Sequence, residues 1–221
     1  GFKGSAFTPH HLPFVVVGTG ILWFGWFGFN AGSALAANGG AANAFVVTNL
    51  SAAAAGLVWS LIEWKQHGAP TMLGCATGAV AGLVAITPAC GFVGPMPAIA
   101  IGAVSSVFGY MGVAWLKPKF GYDDSLDVFG VHGICGMWGA MATGLFAQTA
   151  IGGTDGLFFG NGKQFLIQGL SVLATLVYSG VLTFILYKIV DALLGMRVEE
   201  EDEVVGLDIS QHREAGYTVL E

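Results

Sequence analysis

Residues 127–147 read DVFGVHGICGMWGAMATGLFA, an apolar run long enough for a helix, opened by Asp127 and enclosing one imidazole, His132. A protonatable side chain is costly in hydrocarbon. One that lies in a membrane span faces a bundle interior or a water-filled path, or is a buried ring hydrogen-bonded to a neighbouring helix. His132 is therefore the first candidate for function. Gly130, Gly133, Gly136 and Gly139 recur every three residues, which predicts a stripe of nearly bare backbone beside the ring. Asp127 suits the helix N-terminus as a structural cap, where a carboxylate meets free N–H groups and the positive end of the macrodipole, in preference to a proton relay. At 3.6 residues per turn His132 comes only about one and a half turns after Asp127. A ring near the bilayer midplane thus requires this helix to start below the headgroups, at a recessed inner mouth.

The remainder of the chain puts that helix in a bilayer. Of 221 residues 54% are hydrophobic and 10% charged, with 35 glycines, and the mean hydropathy is +0.70. That balance excludes an ordinary soluble domain. The net charge of -6 is concentrated in the acidic run Glu199 to Glu203, so it implies no nucleic-acid partner. Cys75, Cys90 and Cys135 stand singly in apolar segments, as packing residues without a metal-ligand spacing or a disulfide framework. No nucleotide or hydrolytic motif such as GxxxxGKS occurs, which argues against an ATP-driven pump or an enzyme, and no cofactor is expected. The chain lacks an initiator Met and is expected to be a piece of a longer protein.

Apolar segments near 12–37, 42–64, 71–90, 97–116, 127–150 and 164–194 are each long enough to cross about 30 Å of hydrocarbon at 1.5 Å per residue. The expected fold class is an all-α polytopic membrane protein with six transmembrane helices over residues 1–194 and a cytoplasmic tail over 195–221. With both ends inside, Lys3, Lys65, Lys117, Lys119, Lys188, Arg197 and Arg213 are cytoplasmic and only Lys163 is outside, a strong positive-inside bias.

In the first span Trp26, Phe29, Asn30 and Ser33 are spaced to share one helical face near the outer end. Two rings, an amide and a hydroxyl can hold a small cation by cation–π contact and hydrogen bonds. The same pattern also fits an interfacial aromatic belt with Ser33 bonded to its own helix. The second span reads as packing. In the third, Gly74, Gly78 and Gly82 predict close helix approach, and Pro88 predicts a helix stop. The freed carbonyls and the Thr87 hydroxyl then either face a cavity or mark a plain helix end. Gly195 is the expected stop of the last span, followed by a loosely structured polar tail.

WFGFNAGS, ITPACG, DVFGVHGICG and the tail GLDISQHREAGY resemble the second half of an Amt/Mep/Rh ammonium transporter, over essentially the whole chain. The resemblance implies helices six to eleven of an eleven-helix fold, namely the second of two inverted repeats plus a long final helix, in a homotrimer with one pore per subunit. It assigns His132 to one of two pore histidines and Phe29 to one of two stacked gate phenylalanines. Ser33 corresponds to the hydroxyl of the outer recruitment site, Trp26 and Thr87 to the pore wall beside it, and Asp127 to a structural acid. It also implies that the tail, with Gly206, Leu207 and Asp208, couples the pores beneath a docking site for a PII signalling protein. Gly206, Leu207, Asp208 and Ile209 are expected to fold back against the helix ends.

The implied function is ammonium transport across the plasma membrane, and its physics rests on the proton. Ammonium and potassium are similar cations, but only ammonium can lose a proton behind Phe29 and pass as ammonia along an apolar, histidine-lined lumen. A channel for another neutral solute such as carbon dioxide and a non-conducting sensor subunit are the alternatives.

Overall fold

The computed structural model describes residues 8–216, and the described residues are helical or irregular, with no strand among them. Residues 8–173 form one compact unit and residues 174–216 belong to a second. The expected tail at 217–221 and Lys3 lie outside the described residues.

In the first unit α1 spans Leu12–Ala31 and continues as a single tight turn over Gly32–Ala34, after which Leu35 turns left-handed at φ 53°. α2 spans Gly39–His67, capped by the Asn38 side chain on the N–H of Ala41 and closed by Gly68 at φ 82°. α3, Met72–Ile86, is capped by Thr71. Pro88 sits two residues beyond its end, where a missing N–H and a ring clash stop a helix. α4 spans Pro95–Met111 and widens into a π-turn over Gly112–Leu116 before α5, Lys117–Phe120. A second π-turn, Phe129–Ile134, carries His132 and leads into α6, Cys135–Phe146. A short α7, Thr149–Gly152, precedes the long α8, Gly162–Leu194. Four of these stretches are long and apolar enough to cross a membrane, Leu12–Ala34, Gly39–His67, Pro95–Phe120 and Gly162–Leu194, while Met72–Ile86 is apolar but shorter.

α2, α3 and α4 meet at backbone distance, and the glycines are the reason. A Cβ on Gly78 would lie 2.9 Å from the Ala55 carbonyl oxygen, and one on Gly82 would lie 2.5 Å from that of Ser51. Gly74 faces the Glu63 carboxylate, so the spacing of Gly74, Gly78 and Gly82 reports helix approach as expected. A Cβ on Gly102 of α4 would lie 2.1 Å from the Ser51 carbonyl oxygen. Hydroxyls finish the seam: Ser51 donates to Gly82 O at 2.8 Å and Ser106 to Ala55 O at 2.6 Å. Each bond satisfies a polar group that has no water partner in a bilayer. Leu83, Ile86, Ile101, Val47 and Val93 fill the space between.

The glycines of the His132 helix do not form one bare stripe. Gly139 packs on the Ala85 backbone of α3, Gly130 on Val113 and Gly112, Gly133 on its own Phe129 ring, and a Cβ on Gly136 would meet only Val84, at 3.7 Å. The π-turn between them changes the phase, so a three-residue repeat no longer maps to a single face.

In the second unit α8 ends at Leu194, with Gly195 at φ 74° and its N–H on Asp191 O, as its sequence position suggested. The tail is more ordered than its polarity implied. α9, Glu200–Val205, begins with four acids in its first turn, where the macrodipole favours them. Arg197 donates through Nε and Nη2 to the Glu203 carboxylate at 2.7 and 2.8 Å, and Gln211 donates to Asp202. Leu207 and Ile209 remain half exposed, 45% and 53%, rather than folded against apolar surface.

Candidate functional site

α1 and α3 run parallel, which follows from their contacts at two levels. Near their starts, Val15 and Thr19 of α1 and Ala76, Thr77 and Val80 of α3 line one cleft of about 370 Å³ with His132 and Asp127. Near their ends the Trp26 indole N–H donates to the Thr87 hydroxyl at 2.8 Å. Thr19 to Trp26 and Val80 to Thr87 are both seven-residue steps, so the two levels are about 10 Å apart at 1.5 Å per residue. Between them, over Gly20 to Gly25 on α1 and Ala81 to Ile86 on α3, the one polar side-chain atom is Trp23 Nε1, a buried donor with no hydrogen-bond partner among the described residues.

At the upper level the Trp26 and Phe29 rings meet edge to face, 5.8 Å between centroids. The Ser33 hydroxyl donates to Phe29 O at 2.6 Å, back onto its own helix. That bond uses its hydrogen and leaves oxygen lone pairs to accept from a cation. Asn30 does not share this face. It is 5% exposed and its amide donates to the Thr48 hydroxyl of α2 at 2.9 Å, because a buried amide between two helices is held by the nearest acceptor. Thr87 is likewise not free toward a cavity, since its hydroxyl donates to Leu83 O at 2.7 Å while accepting from Trp26. The carbonyls released past Pro88 are satisfied inside the protein. Asn43, which spacing did not single out, donates to Cys90 O at 3.3 Å and Val93 O at 3.0 Å, and the Gln148 N–H reaches Phe92 O at 2.9 Å.

At the lower level His132 faces the cleft, and its depth follows from its neighbours. Gly136 lies against Val84, which puts His132 beside Val80, about 12 Å into α3 at 1.5 Å per residue, although its own helix starts only a few residues before it. The His132 helix thus starts beside the middle of α3 and not beside its first turn.

Asp127 is not the side-chain cap. The Asp124 carboxylate takes that part, accepting from Val128 N and Phe129 N, both at 2.8 Å. Asp127 instead adopts φ 56°, a left-handed conformation open to aspartate, and pairs with Lys117 Nζ at 2.7 Å. Lys117 also donates to Asp124 O. Beside them burial pushes the Tyr122 phenol above its usual range, and Asp124 adds to the rise.

A chain of apolar helices packed through glycine and internal hydroxyl bonds defines a polytopic membrane protein. Residues 2–217 match the model of the Ammonium Transporter Family, and the chain belongs to that family. It is 52% identical over 217 residues to an ammonium transporter of Aquifex aeolicus, covering 98% of this chain and 51% of that protein. With an ammonium transporter of Bacillus subtilis identity is 50% over 216 residues, 97% of this chain and 54% of the relative. The crystal structure of Saccharomyces cerevisiae Mep2 superposes with a TM-score of 0.84 at 36% identity, over 90% of this chain and 46% of Mep2. The chain therefore spans about half the length of the relatives it matches.

Proposed function

We propose that this chain supplies one wall of an ammonium path across the plasma membrane, with Ser33, Trp26 and Phe29 at the outer mouth, Thr87 beside them, and His132 deeper in. The observation that carries this reading is the pair of parallel stripes on α1 and α3. They connect an aromatic and hydroxyl cluster to an imidazole about 10 Å away through side chains that offer a cation no oxygen ligand. A cation held at the mouth meets the Trp26 and Phe29 ring faces and the Ser33 oxygen. Further in, desolvation disfavours the charged form, so ammonium releases a proton and ammonia continues toward His132. Potassium has no neutral form and is stopped there.

Ser33→Leu in the transporter that contains this chain tests the mouth. Loss of the oxygen acceptor is expected to raise the half-saturating ammonium concentration about tenfold, equivalent to one charged hydrogen bond. An unchanged concentration dependence would remove Ser33 from the path. Permeation of carbon dioxide that ignores the ammonium gradient would favour the neutral-solute channel instead.

Both ends of the segment are cytoplasmic in this reading, the assembly is a homotrimer, and the tail is where a PII protein stops transport. The built form of the tail supports a regulatory part. Gly206 holds φ 107°, and a Cβ there would lie 2.8 Å from the Asp208 carboxylate. Gly206→Asp strains that backbone by about 1–3 kcal/mol. Amide hydrogen exchange over residues 200–212 is expected to accelerate about tenfold or more. Unaltered exchange would mean that the turn tolerates a side chain.

Acid should loosen the same element. The Arg197 hydrogen bonds hold the Glu203 carboxyl below its usual range, so their contribution is complete above the ordinary carboxylate pKa and disappears as pH falls through the lowered folded value.

A further inference from the structure

His132 stands on a π-turn that faces another π-turn, and the contact between them is backbone to backbone. A Cβ on Gly112 would lie 3.0 Å from Gly130 Cα, and one on Gly130 would lie 2.8 Å from Val113 Cγ2. The first π-turn has a cause in the sequence. Pro118 has no N–H for the Ala114 carbonyl and its ring clashes with that position in a regular helix, while the widened turn carries the Lys117 N–H to Gly112 O instead.

The second π-turn has an effect on phase. Gly130 and Cys135 are five residues apart, which an α-helix places about 140° apart around its axis. Here both face α4. Gly130 lies on Gly112 and Val113, and the Cys135 thiol donates to Ser105 O at 3.3 Å. Bonding over five residues stacks such a pair on one face. Both Val131 and His132 line the cleft, but the turn leaves Val131 buried at 3% and His132 exposed in it.

Lys117 closes the device, because it leaves the first π-turn and reaches both Asp127 Oδ1 and Asp124 O at the entrance of the second. Asp127 in turn accepts the Val131 N–H at its backbone carbonyl, 2.9 Å away.

We propose that these two facing π-turns fix the rotational position of His132 and that Lys117 is its positioning residue. The geometry is independent of what His132 does, and only the consequence for transport rests on the function proposed above.

The test reads orientation directly. Val131→Cys and His132→Cys are introduced separately into the full chain, solubilised in detergent, and labelled with a cationic methanethiosulfonate, with the chain lacking either change as reference. His132→Cys should label fast and Val131→Cys slowly. Adding Lys117→Met should slow position 132 about tenfold and speed position 131, a decade in the balance of orientations. Lys117→Arg should restore the original pattern, and Lys117→Gln serves if the methionine variant does not fold. Rates at both positions that stay unchanged in a folded Lys117→Met or Lys117→Gln chain would overturn the proposal. Altered labelling with unaltered ammonium uptake when Lys117→Met is placed in the chimera that joins this chain to the unmatched half of the Bacillus subtilis relative would uphold the positioning and remove His132 from the transport step.

Discussion

Gly102→Ala is expected to cost the bundle about 3 kcal/mol or more, at the upper end of overpacking effects. The added Cβ would stand 2.1 Å from Ser51 O and 2.8 Å from Ser51 C and Cα, all main-chain atoms, so no rotamer change can make room. α2 and α4 must separate, and Ser51 then loses its hold on Gly82 O, which couples the damage to α3. Gly28→Ala is the control, because nothing lies within 4 Å of its Cβ position in this chain. Thermal unfolding of the two variants in detergent should show a large loss for Gly102→Ala and a small change for Gly28→Ala. Equal stabilities would mean that the three-helix seam is not what holds the wall together.

His132→Glu carries the second large effect. An imidazole would be replaced by a carboxylate at the inner end of an apolar stretch, beside Thr19 and Val80. A fixed anion there stabilises potassium as well as ammonium, and discrimination by proton loss gives way to discrimination by charge. Potassium flux should rise at least about tenfold relative to ammonium, which requires about 1.4 kcal/mol of new cation stabilisation. Isotope or electrode measurements of both ions in the same vesicles check it. Unchanged selectivity in a folded variant would make His132 a packing residue.

Several parts of this architecture were legible in residue types alone, since each depends on local sterics. Gly74, Gly78 and Gly82 announced a close helix contact, Pro88 a helix stop, and Gly195 another, and all three occur. The apolar run around His132 likewise marked the helix that faces the cleft. What stayed hidden depended on partners distant in sequence. Asn30 and Ser33 share a face by spacing, yet Thr48 on α2 draws one of them inward.

Asp127 was the expected cap, but Lys117, ten residues upstream, pairs with it and leaves the Asp124 carboxylate for the helix. Pro118 was a signal for the first π-turn, but its distortion falls upstream of the proline. The second has no sequence period of its own, which is why a three-residue glycine repeat misread as one stripe. The tail looked unstructured because acids and polar groups dominate it, whereas Arg197 with Glu203 and Gln211 with Asp202 fold it through pairs.

That this chain supplies one wall of an ammonium path is the central proposal, and it is directly measurable. The half of the Bacillus subtilis relative that this chain does not match is joined ahead of it and expressed in cells lacking their own ammonium transporters, beside cells expressing this chain alone. The account predicts that the membrane-inserted chimera takes up ammonium and supports growth on low ammonium, with potassium excluded, and that the chain alone does neither. Selective uptake by the chain alone, or an inserted chimera that moves no ammonium, would contradict it.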